Sequence, residues 1–86
     1  MPADFIPATI VVGSTYRVRQ TFYPSNVPLA VGTVVRIDWD RVRVEERIYE
    51  RSIGLTPLDP PGGTIIWVRS HPLNQAYFDQ ILGPCG

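Results

Sequence analysis

The chain has no lysine, one histidine and one cysteine, and its charges cancel: eight arginines stand against eight acids in 86 residues. The lone Cys85 excludes an internal disulfide, and with it the cross-linked scaffolds common among small secreted domains. A reducing cytoplasm is the expected compartment. The lone His71 excludes a histidine cluster, and neither zinc-ligand spacing nor a glycine-rich phosphate loop occurs. No metal or other cofactor is expected. Zero net charge removes the basic excess by which proteins neutralise phosphates, so nucleic acid is the lesser expectation. No apolar run approaches the ~20 residues that span a bilayer, and MPADFIP at residues 1–7 lacks the charged start and apolar centre of a signal peptide. No membrane partner is expected. The missing lysine makes arginine the only strong cation, one that stacks on rings and bonds carboxylates bidentately, although a GC-rich coding sequence produces the same composition.

What remains is an ordinary folding composition, with 44% hydrophobic and 19% charged residues. Residues 1–86 make a single domain with one small core, 13–82 forming the body of the fold, and folding buries only about 60 to 65% of the surface of a chain this size. Nine prolines and seven glycines divide the chain into short segments and exclude long helices before Leu73. ATIVVG (8–13) is β-branched and is expected as a leading edge strand. TYRVRQTF (15–22) alternates, with Tyr16, Val18 and Phe22 on one face and Arg17 and Arg19 on the other, which is the pattern of a half-buried strand. YPSNVPLAVG (23–32) is an irregular loop.

The stretch RIDWDRVRVEERIYER (36–51) holds five arginines and five acids. Its period is two: Val35, Ile37 and Trp39 share a face, and Val42 and Val44 then alternate with Arg41, Arg43 and Glu45. This predicts two strands with a tight turn near Asp40 and Arg41 and a bulge or loop at Glu45 and Glu46, the charges lying mostly on a solvated sheet face. SIGLTPL (52–58) is extended, and DPPGG (59–63) predicts a hairpin tip. TIIWVRS (64–70) is apolar on both faces, Ile66 and Val68 on one and Ile65 and Trp67 on the other, so it is either covered twice or carries an interface. At the C-terminal end, PLNQAYFDQIL (72–82) switches to helical period, with Leu73, Tyr77 and Ile81 as its stripe, Ser70 or His71 as its start and Gly83 just past its end.

GSTYRV, VGTVVRI and TIIWVRS followed by PLNQAYFDQI resemble, as a layout over residues 13–82, small SH3-like β-barrels of bacterial proteins of uncharacterised function. The resemblance implies an all-β barrel of four to five antiparallel strands with one short C-terminal helix at 72–82; it implies a fold and no activity. Peptide-binding SH3 domains carry an ALYDY-like stretch and adjacent tryptophans, whereas Trp39 and Trp67 stand far apart here. Type II dihydrofolate reductases carry a Val-Gln-Ile-Tyr strand; Ile65-Ile66-Trp67-Val68 has no glutamine, and that activity is not carried over.

Nothing in the chain supports catalysis. His71 precedes Pro72 with no residue in sequence to orient it as a base, and Cys85, between Pro84 and Gly86, lacks the electropositive setting that activates a thiol. The residues suited to recognition are Trp39, Tyr49, Ile65, Trp67 and Arg69, because aromatics and arginine dominate binding hot spots. Trp39, in phase with Val35 and Ile37, is read first as core and second as interface. Trp67 lies out of phase with Ile66 and Val68, so the Ile65–Trp67 face needs cover from residues 5–12, the helix or a second copy. The expected function is a non-catalytic protein-interaction or regulatory module that self-associates as a homo-oligomer, the alternative being a nucleic-acid-binding barrel that uses arginine and aromatic side chains.

Overall fold

The computed structural model describes residues 5–85, so the first four residues of MPADFIP lie outside the description. Five strands build one open antiparallel sheet: β1 (Thr15–Val18), β2 (Val34–Glu45), β3 (Ile48–Asp59), β4 (Ile65–Arg69) and β5 (Leu82–Pro84), with helix α1 (Gln75–Ile81) just before the last strand. Their order across the sheet is β4-β3-β2-β1-β5. The β-rich class with one short C-terminal helix is as expected. β4 and β5 are opposite edges that do not pair, so among the described residues the ladder stays open where a closed barrel was expected.

β2 and β3 are twelve residues each. At about 3.3 Å per residue, such a hairpin sets the 39 Å long axis of the molecule. The turn expected at Asp40 and Arg41 does not exist, because the ladder runs past both to the Glu45–Ile48 pair; Glu46, at φ 48°, and Arg47 make the reversal. From Arg41 to Ile48 every residue is exposed, so the charged run is a solvated two-stranded arm. Arg43 stands 3.6 Å from Glu45 and 3.7 Å from Glu50, all three in water. Exposed pairs of this kind contribute roughly 0 to 1 kcal/mol. Arg43→Gln should therefore shift a urea melt by less than about 1 kcal/mol; a several-fold larger loss would show that the arm is packed against something.

The core lies between one face of the sheet and a layer made by α1, the N-terminal segment and the loop before β2. Val35, Ile37, Ile53, Leu55, Leu73 and Ile81 are fully buried in it. Tyr16 meets Phe78 edge-on at 5.3 Å. Residues 8–13 are not the expected strand. They form a strap, tied at one end by Ala8 N–H to the Leu73 carbonyl (2.8 Å) and at the other by Gly13 N–H to the Ile37 carbonyl (2.7 Å), with Ala8 and Ile10 buried beneath it. The helix is shorter than the predicted 72–82. Pro72 and Leu73 precede it, Asn74 caps it by accepting from Ala76 N–H at 2.8 Å, and Gly83 lies within β5. Leu73 and Ile81 of the expected stripe are fully buried, but Phe78 takes the inward place expected of Tyr77, which is 39% exposed.

The loop between β1 and β2 contains a 3-10 turn, Pro24–Asn26, that packs against β4. There the Ser25 hydroxyl donates to the Ile66 carbonyl. An exposed strand edge invites pairing with other chains, and this loop shields that of β4.

Candidate interaction surface

Two residues of the long hairpin decide which face carries the candidate site. Ile37 pairs with Leu55, but the next pair is Trp39 with Gly54, so Asp38 is an extra residue in β2. Such a bulge shifts the alternation by one. Val35 and Ile37 point into the core before it, and Asp40 shares the core side with Ile53 after it. Trp39 is thereby moved off the face of Val35 and Ile37, correcting the reading that placed it with them. It lies on the outer face, half-buried, flat on Gly54. A β-carbon at Gly54 would stand 2.5 Å from the indole ring, so only glycine admits this approach. Trp39 Nε1 donates to Ser52 Oγ at 3.0 Å, and the Arg41 guanidinium stands 5.7 Å from the ring centre.

β4 corrects the second tryptophan. Ile53 pairs with Trp67 and Leu55 with Ile65, which puts both on the core side. Trp67 is 6% exposed and packs against Phe22 with ring centres 5.1 Å apart; Ile65 is half-buried against the same core. The loop before β2, rather than residues 5–12 or a second copy, is what packs on Trp67, through Phe22, while Ile65 stays half-buried. The unmatched face is that of Ile66 and Val68, 50% and 52% exposed. Ile66 pairs with Gly54, which itself pairs with Trp39. The result is a cross-strand row, Trp39, Gly54 and Ile66, with Arg41, Ser52 and Val68 as the row beside it.

On the opposite side, Arg51 is 4% exposed. Its Nε and one terminal nitrogen donate to the two carboxylate oxygens of Asp40, both at 2.7 Å, and that nitrogen also donates to the Ala8 carbonyl at 2.9 Å. The Asp40 carboxylate beside it holds the guanidinium above its ordinary pKa, against the opposing effect of burial. Tyr49, half-buried, lies on the same side of the arm, paired with Val44, and its hydroxyl adds to that upward shift. This ion pair ties the strap to the hairpin at the base of the arm. Tyr49 is therefore separated from the outer row by the sheet itself.

Asp38, the bulge residue, accepts from the Thr56 hydroxyl and, at 2.7 Å, from Arg36 Nε. These bonds, Thr56 first, hold its carboxyl below the usual aspartate range. A depressed folded-state pKa contributes stability above the unfolded value and loses it as pH falls through the folded one. Urea melts should thus show a component of stability that disappears on acidification below about pH 4 and is missing in Asp38→Asn; identical acid profiles for the two proteins would remove the bulge network from the account.

Two concavities flank β4. One, of about 340 Å³, lies between the loop before β2 and the DPPGG turn; Pro28, Leu29, Pro57, Pro60, Pro61 and Ile65 are among its walls, and no ionisable side chain lines it. The other, of about 230 Å³, lies at the end of the strand beside Trp67, Arg69 and His71. Thus Ile65 and Arg69 each border a cavity, while Trp39 alone of the expected recognition residues lies in the outer row. Among the described residues no group of three or more His, Cys, Asp or Glu side chains could hold a metal, and no helix is long and apolar enough to cross a membrane. Comparison with known protein families, with curated proteins and with solved structures finds no match to this chain.

Proposed function

We propose that the protein is a non-catalytic interaction module of SH3-like layout that self-associates through the outer face of its sheet. The observation that carries this is the row Trp39, Gly54 and Ile66, with Val68 beside it: two aliphatic side chains half in water, next to an indole held flat by a glycine. An indole fixed by a hydrogen bond to Ser52 loses little freedom on docking, which is what makes tryptophan an efficient anchor. The shielding of the β4 edge by Ser25 favours face-to-face contact over strand addition. Zero net charge leaves no long-range repulsion between copies. The pairing of Arg36, Arg43 and Arg51 with acids removes three of eight cations from any nucleic-acid surface, which weakens that alternative.

Sedimentation velocity tests the reading. The wild type should form dimers at micromolar concentration, and Ile66→Glu or Val68→Glu should yield folded monomers, since each replaces an exposed side chain. A wild type that stays monomeric at high micromolar concentration, or variants that still dimerise, would end it.

A further inference from the structure

We propose that Arg69 forms the floor of an anion site that receives a carboxylate from another molecule. The Arg69 side chain lies on the opposite face of β4 from those of Ile66 and Val68, although Val68 also borders the cavity, and the site does not depend on the self-association proposed above.

Arg69 and Arg51 are direct cross-strand partners at the end of β4, on the same side of the sheet. Their surroundings differ. Arg51 is matched by both oxygens of Asp40 and by a backbone carbonyl. Arg69 has no ion pair among the described residues, and its Nε is shut away from water without a hydrogen-bond partner there. The guanidinium lies 5.6 Å from the centre of the Trp67 ring and 5.8 Å from that of Tyr77. Ring faces stabilise the positive charge, but the N–H bonds lie in the guanidinium plane and need acceptors at its rim. Arginine does not shed its proton in proteins, so the group remains a cation with unmet donors.

The about 230 Å³ cavity is lined by Trp67, Val68, Arg69, Ser70 and His71. A guanidinium, a hydroxyl and an imidazole border it, and no acid does. Liquid water occupies about 30 Å³ per molecule, so the space has room for a carboxylate with its first carbons. One unneutralised arginine balances one negative charge. Its two terminal nitrogens offer the parallel N–H pair that a carboxylate accepts bidentately.

The test is a titration of the full chain with sodium acetate, chloride being exchanged to keep ionic strength constant, read by NMR at the arginine Nε–H groups. The Arg69 signal and the Trp67 indole should shift saturably, with millimolar affinity. Arg69→Gln and Arg69→Lys should each weaken acetate binding about tenfold or more, the loss expected for a charged hydrogen-bonded partner, whereas Arg47→Gln should leave it unchanged. Saturation by inorganic phosphate but not by acetate would overturn the carboxylate assignment. All arginine signals drifting together without saturation would overturn the site.

Discussion

Asp40→Ala will cost about 3 to 5 kcal/mol, because it leaves the Arg51 guanidinium buried with no counter-charge. Small domains have only about 5 to 15 kcal/mol in total, so the variant will be near its unfolding threshold at room temperature. The geometry puts this pair at the high end of what an ion pair can matter: the side chains are 5% and 15% exposed, and both N–H bonds to the carboxylate are 2.7 Å. The loss measures an orphaned charge, not the attraction of the intact pair, since burial of two ions has already offset much of that attraction. The double variant Asp40→Leu with Arg51→Met separates the two. It should recover part of the loss, remaining about 1 to 3 kcal/mol below wild type because the Ala8 carbonyl then lacks its donor. Urea melts of the three proteins decide it; a single variant within about 1 kcal/mol of wild type would mean that water reaches Arg51.

That pair was partly legible. Arg51 falls in phase with Tyr49, Ile53 and Leu55, so period-two reading of β3 alone places it on the core side. It went unrecognised because it was read with the charged run that precedes it, where arginines and acids do face water. Asp40 gave no such sign, because its side of the sheet depends on the bulge at Asp38. The sequence does show a change of phase, from odd positions at Val35 and Ile37 to even ones at Val42 and Val44. A turn and a one-residue bulge both produce that change, and alternation cannot tell them apart. Chemistry offered a hint: Asp40 suits a tight hairpin turn, but Arg41 is not the glycine that such turns favour after it. Glu46 at positive φ is no better by residue type, although the slip in alternation did place a bulge or loop at Glu45 and Glu46, where the chain reverses.

The same bulge displaced Trp39, and a separate cause buried Trp67. Without it, Trp39 continues the row of Val35 and Ile37 into the core; with it, the ring lies on Gly54 and faces outward. In β4 the apolar content of both faces was plain, but which face turned inward was set by partners distant in sequence: Phe22, on a loop 45 positions away, covers Trp67. The strap from 8 to 13 illustrates a related limit. Its β-branched residues match a strand, yet its hydrogen bonds go to Leu73 and Ile37 on separate elements, so tertiary placement overrode local propensity. The strand expected over 15–22 is formed only at Thr15–Val18, whereas the DPPGG reversal and the terminal helix followed from local pattern and capping chemistry and lie where these put them, apart from the helix ends.

Exchanged roles for the two tryptophans give the remaining large effect. Trp67→Ala should cost about 3 to 5 kcal/mol, the range for truncating a buried large aromatic, since the ring is 6% exposed, packs on Phe22 and faces Ile53 across the sheet. Its removal opens a void on which both the loop before β2 and β4 depend, and a core this small has few ways to collapse into it. Trp39→Ala leaves no void. It uncovers Gly54 and frees Ser52, both on a surface already half in water, so the melt should move by less than half as much. Association should respond in the opposite order. Trp39→Ala will abolish sedimentation as a dimer while the monomer stays folded, and Trp67→Ala, examined at low temperature where enough of it remains native, will keep the outer row and dimerise. Greater loss of stability from Trp39→Ala than from Trp67→Ala would place the indole of Trp39 in the core and return the bulge at Asp38 to question. Unchanged dimerisation in Trp39→Ala would leave the core assignment standing and remove the outer row as the contact between copies.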